Sequence, residues 1–187
     1  MIDRLRPSPE AARADLPEWQ SVFTTTYQQG TTESVLPVFN SFANDGYKGN
    51  SIVFSVILAR LMLFSEAEFK FQSLADKRMF GTTDLYLLEN PWPGGTTGDL
   101  LARMEQDVSL AGSAFIRNCG DHLERLRPDW VDIVSADLGD RSRLITGYIY
   151  RRDNGQAGEN SEFFTTDEVA HWSPIPDPVA QWRGMSW

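Results

Sequence analysis

The side chains best suited to chemistry are few: two histidines, His122 and His171, and a single cysteine, Cys119. Cys119-x-x-His122 sets a thiol and an imidazole on the two sides of an expected tight turn. One such pair supplies too few ligands for zinc, and a cysteine nucleophile would also need a base and an orienting group. Asp167 and Glu168 precede His171, but adjacent carboxylates point apart on a strand or helix. That segment reads as a surface turn leading into a short strand. The three lysines, Lys48, Lys70 and Lys77, follow no glycine-rich phosphate loop, so an intrinsic NTPase is not expected. Gly94-Gly95-Thr96-Thr97-Gly98 leads into a helix N-terminus whose free N–H groups could hold an anion. A Pro-Gly-Gly turn into a capped helix explains the same letters. The expectation is therefore no catalytic residue, no cofactor and no metal site.

The elements that would position these residues fall into three stretches. Residues 1–46 contain four prolines, a TTTYQQGTTES run and no sustained period, and read as an extended N-terminal arm. Within it Trp19, Phe23 and Tyr27 are spaced i, i+4, i+8, which would set three rings on one helical face seeking a partner, either the chain's own body or a neighbouring subunit. From Asn50, a capping residue, Ile52 to Phe64 is apolar on all sides and predicts a helix enclosed between layers. Glu66 to Gln72 alternates polar and apolar residues and predicts a half-buried strand. Asp84 to Leu88 is a further short apolar segment, stopped by Asn90-Pro91-Trp92-Pro93-Gly94-Gly95.

Thr96 with Asp99 approximates a capping box, and Leu100, Met104, Val108 and Ala111 run at helical spacing to a stop at Gly112. Short strands are expected over Ser113–Asn118, His122–Arg127, Val131–Val134, Leu144–Arg151 and Glu162–Thr165, with Asp153-Asn154-Gly155 as a hairpin tip. Two main helices followed by an antiparallel meander make an α+β domain over 47–187, its second half curled into a small sheet or partial barrel. Trp172, Trp182 and Trp187 crowd the end of the sequence and are candidate interface residues, since interfaces favour tryptophan.

Composition narrows the function classes. The 187 residues hold 26 acids against 17 bases, a net charge of −9, and are acidic in every third of the chain. A pI near 4.7 disfavours ordinary binding of nucleic acid by phosphate neutralisation. The single cysteine excludes intrachain disulfides and multi-thiolate metal sites. The sequence starts without a signal-peptide core, and its longest apolar run is too short to cross a bilayer, so no membrane partner is expected.

The order of motifs resembles the portal proteins of tailed bacteriophages, in the large family typical of long-tailed siphophages, from about Tyr47 to Trp187. Asn50-Ser51-Ile52-Val53-Phe54-Ser55-Val56-Ile57 is similar to the family's Asn-led apolar helix, Ala67 to Leu74 to its outward strand, and Leu87-Leu88-Glu89-Asn90-Pro91-Trp92 to its Leu-Leu-x-x-Pro turn. Leu110-Ala111-Gly112-Ser113-Ala114-Phe115 resembles its Leu-x-Gly-Asn-Ala-aromatic signature, with Ser113 where Asn is usual. Leu123-Glu124-Arg125-Leu126-Arg127-Pro128-Asp129-Trp130-Val131 and Asp167 to Trp172 resemble two later segments. Family members continue well past the segment that Trp182 to Trp187 resembles.

The resemblance implies a wing-like α+β portion of a portal subunit, with the family's stem and clip regions missing downstream, through truncation or a split gene. It also implies a structural role without catalysis: one member of a homo-oligomeric ring, usually a dodecamer, at the capsid vertex of a virion, made in the host bacterial cytoplasm. Its partners would be other portal subunits, the major capsid protein, the terminase packaging motor and a head–tail adaptor. Duplex DNA would pass through the conduit during packaging and ejection without tight binding by this segment. The alternatives are a head-completion or adaptor module and a small enzyme with an unrecognised site.

Overall fold

The computed structural model of the chain describes residues 26–29, 32–35, 39–72, 79–80, 85–137, 143–152 and 161–186. Among the described residues ten strands and four helices follow one another, with a 3-10 turn at Pro128–Trp130 besides: β1 Thr26–Gln29, β2 Thr32–Val35, α1 Phe39–Lys48 with a π-helical stretch from Phe42, α2 Ser51–Ser65, β3 Phe71–Gln72, β4 Met79–Phe80, α3 Tyr86–Glu89 and α4 Thr97–Ala111. Then follow β5 Ala114–Asn118, β6 Leu123–Leu126, β7 Val131–Asp137, β8 Arg143–Arg151, β9 Ser161–Thr165 and β10 Val169–Trp172. The fold is α+β, as expected. Its strands form antiparallel sheets ordered β1-β2-β7-β8-β9 and β10-β5-β6, with a β3-β4 pair apart, and among the described residues no barrel closes.

The two larger sheets share a core of Phe115, Leu126, Val131, Ile133, Tyr148, Tyr150, Phe164 and Val169. Strand β8 reaches this core with a bulge: Val134 faces Gly147 and Ser135 faces Ile145, so Thr146 is the extra residue. The bulge shifts the alternation, and Ile145 packs on the same core as Tyr148 and Tyr150. A second core, of Leu100, Ile116 and Leu123, forms where α4 meets the three-stranded sheet, with Trp92 from the proline-rich loop packed against it.

Helix α4 follows its sequence signals closely. The Thr96 hydroxyl accepts from the Asp99 N–H at 3.2 Å while the Asp99 carboxylate accepts from the Thr96 N–H at 3.0 Å. Gly112 ends the helix at φ 73°, donating its N–H to the Val108 carbonyl at 2.8 Å. The helix buries acids as well as apolar residues. Asp107 is paired with Arg125 of β6 and Glu105 with Arg60 of α2 at 2.6 Å.

Three expectations are corrected, and one segment to which the sequence assigned no element, the apolar run before the proline loop, takes a definite form. Tyr27 lies in β1 opposite Ser34, not on a helix; the hairpin β1-β2 joins the large sheet where Thr32 and Glu33 pair with Val134 and Ile133 of β7, so part of the proline-rich lead-in is strand. Of the alternating Glu66–Gln72 segment only Phe71–Gln72 is strand, because only these two residues find a ladder partner in β4. The apolar run before the proline loop forms a single helical turn, α3. Helix α2 is not enclosed: only Ile57 is buried, whereas Ile52 is 74% and Leu63 77% exposed. The Asp153-Asn154-Gly155 tip lies outside the described residues.

Candidate functional site

The residues singled out in the sequence for chemistry are occupied structurally. Cys119 is half-buried, its backbone N–H bonded to the His122 carbonyl at 3.0 Å and its thiol 3.9 Å from a Glu124 oxygen. Burial pushes that thiol up from its ordinary range, away from the thiolate that a nucleophile requires. His122 Nδ1 lies 2.7 Å from the Asp121 carboxylate in the same turn. At the start of α4 the anion position is already filled by Asp99, whose carboxyl is held low first by the Thr96 hydroxyl and then by the Thr96 N–H. Among the described residues no three His, Cys, Asp or Glu side chains gather as a metal site would need.

His171 sits in β10 as the sequence suggested, but its imidazole is part of the core. It stacks on Phe115 at 4.5 Å and meets Tyr148 edge-on at 6.0 Å. Burial, with a further push from the Arg183 charge, takes its pKa down to about 3. Its Nε2 is buried without a hydrogen-bond partner, so the ring is neutral and works as an aromatic filler.

Next to it lies a polar arrangement that the sequence did not announce. The segment after β10 turns back across the fold, with Met185 N–H donating to the Ile175 carbonyl at 3.0 Å. Glu33 of β2, 1% exposed, accepts the backbone N–H groups of Gln181, Trp182 and Arg183 at 2.9, 3.0 and 3.0 Å. Arg183, also 1% exposed, lies with its guanidinium 5.2 Å from the Phe115 ring centre, and its Nη2 donates to the carbonyls of Pro128 and Val131. Burial brings this guanidinium down to about 10, with Asp132, Glu33 and Asp129 pulling the other way, so it stays charged. Gly184 donates to the Ser113 hydroxyl at 3.1 Å, and a Cβ placed on Gly112 would fall 1.9 Å from the Gly184 carbonyl oxygen. Two glycine backbones cross there with no room for a side chain. The whole is a clasp: helix end, hairpin and last segment are fastened at one buried point.

Helix α2, by contrast, is largely exposed. Asn50 caps α2, its side-chain oxygen accepting from Ile52 and Val53 N–H at 3.0 and 3.3 Å. One stripe, Ile57, Arg60, Leu61 and Phe64, is turned inward, and the contact side is α4. The remaining residues face outward, with Met62 62% exposed. Of the interface candidates, Trp172 stacks flat on Phe64 of this helix, with ring centres 5.1 Å apart and planes 7° from parallel. Trp182 packs against the main core with its indole N–H buried and unpaired. Both are therefore half-buried in the chain's own body. Tyr27 is in β1, and Trp19, Phe23 and Trp187 lie outside the described residues.

Sequence reasoning missed Glu33 and Arg183. Glu33 stands about 150 residues from the N–H groups it accepts, the Arg183 side chain more than 50 from the carbonyls it reaches, and neither sits in a charge pattern that local spacing can expose.

No protein-family profile and no curated protein sequence matches the chain. Its fold is similar to that of chains in three solved structures. One is the virion of a native gene transfer agent (GTA) particle, with TM-score 0.62 and 19% identity over 80% of this chain and 38% of that one. Another is the neck of an empty GTA particle computed with C6 symmetry, at 0.62 and 19%, covering 79% and 39%. The third is the neck of a native GTA particle computed with C12 symmetry, at 0.60 and 18%, covering 80% and 38%. The chain thus spans about two fifths of the length of the chains it matches. At such identity the likeness is one of fold.

Proposed function

We propose that this chain is a structural subunit of the neck of a tailed phage or phage-like particle, and within the neck a wing-like part of the portal ring. The observation that carries the reading is the likeness of four fifths of the fold to chains in GTA virion and neck structures. It is joined by the ordered motifs from Asn50 to Trp172, two of which describe the geometry seen here: a capped apolar helix, and a helix stopped by Gly112 before the Ala114–Phe115 strand. The arm over 1–46 and the wing-like unit over 47–187 belong to the same reading, as do a capsid shell, a packaging motor and a tail adaptor as neighbours.

The role is architectural. His171 is walled into the core and Glu33 is spent on three backbone N–H groups, so these two groups hold the fold together and neither is presented to a substrate. With a net charge of −9 the chain repels duplex DNA, which suits a wall that DNA slides past.

The test is to purify particles from cells that make the chain, identify their proteins by mass spectrometry and label this chain by immunogold. The expected result is a chain present at a fixed copy number, with label at a single vertex. Particles that contain none of it would overturn the reading. The portal assignment further requires the chain in heads that have not yet joined tails; its presence only after tail joining would favour a head-completion or adaptor module. In a fluorescence anisotropy titration at physiological salt, duplex DNA should show no binding. Salt-sensitive micromolar affinity would contradict the sliding-wall view.

A further inference from the structure

Helix α2 presents an apolar surface that carries no charge. Arg60 is its only ionisable residue, and that guanidinium turns inward to Glu105, with Nη2 at 2.6 Å and Nε at 2.7 Å. The outward residues Ile52, Phe54, Val56, Met62 and Leu63 are all more than two fifths exposed. The helix is also fixed from behind. Asn50 caps its start, Arg60 ties its middle to α4, and Phe64 stacks on Trp172. A rigid surface of this kind loses little freedom when something covers it.

We infer that the open face of α2 is a contact between neighbouring copies of this chain, seated head-to-tail in a ring. The inference rests on the proposed neck function and deepens it. Copies that each carry −9 repel one another, so a face without charge is where they can approach at small electrostatic cost, and this face is such a place. Two of the neck structures similar to this chain were computed with C6 and C12 symmetry. A closed ring of more than two copies requires a face that meets a different face on its neighbour, which an unpaired helix supplies. A lipid surface is the poorer occupant. The charges flanking the helix are mainly acidic, with Asp45, Glu66 and Glu68 against Lys48, and Lys70 is paired with Glu68. Helices that lie on membranes carry a basic border instead. No single helix among the described residues is long and apolar enough to cross a bilayer, and α1 meets α2 at a 95° bend.

The experiment uses the full 187-residue chain in sedimentation velocity over a wide concentration range, beside Leu63→Glu and Met62→Glu. Because both side chains are mostly exposed, near-UV circular dichroism should match the parent. The parent should form multimers, and each variant should weaken self-association by about tenfold or more, as expected for removing a large buried apolar side chain from a contact. A benzophenone amino acid at position 63 should give a ladder of photo-cross-linked species beyond the dimer. The inference is overturned by a parent that stays monomeric, by variants that assemble like the parent, or by cross-links that stop at the dimer. Binding to phosphatidylcholine or phosphatidylserine vesicles that Leu63→Glu abolishes would overturn it too, in favour of lipid. Particle incorporation separates the two claims. If Leu63→Glu still enters particles at the parental copy number, the contact fails while the neck function stands. If the parent assembles through α2 but is missing from particles, the neck function fails while the contact stands.

Discussion

The clasp and helix α2 invert the usual sorting of residues. In the clasp a glutamate, an arginine and a serine are buried between backbones, whereas in α2 isoleucine, methionine and leucine face water. The difference lies in which groups find partners. Glu33 is buried because three N–H groups of a turning segment converge on its carboxylate, and Arg183 because two carbonyls and a ring receive it. Helix α2 is open because a 15-residue helix apolar all round can bury only one stripe on α4 and finds no second layer among the described residues. The clasp fixes the fold from inside, and α2 is shaped for something outside it.

That contrast can be broken at four points. The largest effect is expected for Gly112→Val, which places a β-branched residue at positive φ and drives it into the Gly184 carbonyl. A loss of about 4 kcal/mol, read by urea denaturation, follows from strain and overlap together. A variant as stable as the parent would refute the backbone crossing.

Glu33→Ala leaves three backbone N–H groups without an acceptor and Arg183 with one counter-charge fewer, and should cost about 3 kcal/mol. It should also raise amide hydrogen exchange at Gln181 to Arg183. Exchange that stays parental there would mean the carboxylate does not hold the segment.

The third point is pH. Burial lifts the Asp107 carboxyl from 3.8 to about 6 despite the pull of Arg125, so its contribution to stability is full below about 4 and is lost as pH rises through 6. His171, pushed from 6.5 to about 3, contributes fully above 6.5 and loses that contribution as pH falls. Between pH 6 and 4 the two slopes oppose each other, each about 1 kcal/mol per pH unit. Relative to the parent, Asp107→Asn should therefore lose stability on acidification over that window, and His171→Gln should gain it. Urea melts at pH 6, 5 and 4 check the signs, and parallel curves for all three chains would refute both assignments.

The smallest effect belongs to the open side. Leu63→Glu, in the monomer at low concentration, should change folding stability by less than about 0.5 kcal/mol, since the side chain is already in water. A loss of several kcal/mol would show that α2 is packed more deeply than its exposure indicates.

Local signals in the sequence were legible wherever one residue type has one physical use. Asn50 as a cap, Thr96 with Asp99 as a capping box and Gly112 as a left-handed helix end follow from hydrogen-bond geometry within a few residues, and the strand series from Ala114 to Thr165 from short apolar runs between turn signals. The alternating Glu66–Gln72 segment misled because a strand needs a partner ladder as well as a period. Tyr27 misled because helical spacing of rings also occurs in strands.

The sequence by itself determined the α+β class, the two main helices and their stops, and the acidity that disfavours gripping DNA. Tertiary structure alone decided which surfaces close. Only the return of the last segment across β2 turned Glu33 and Arg183, at opposite ends of the chain, into a buried clasp. And only the packing of α2 on α4, with no further layer among the described residues, left an all-round apolar helix open. Contacts over such separations depend on where whole elements come to rest, and a period read along a few residues carries no information about that.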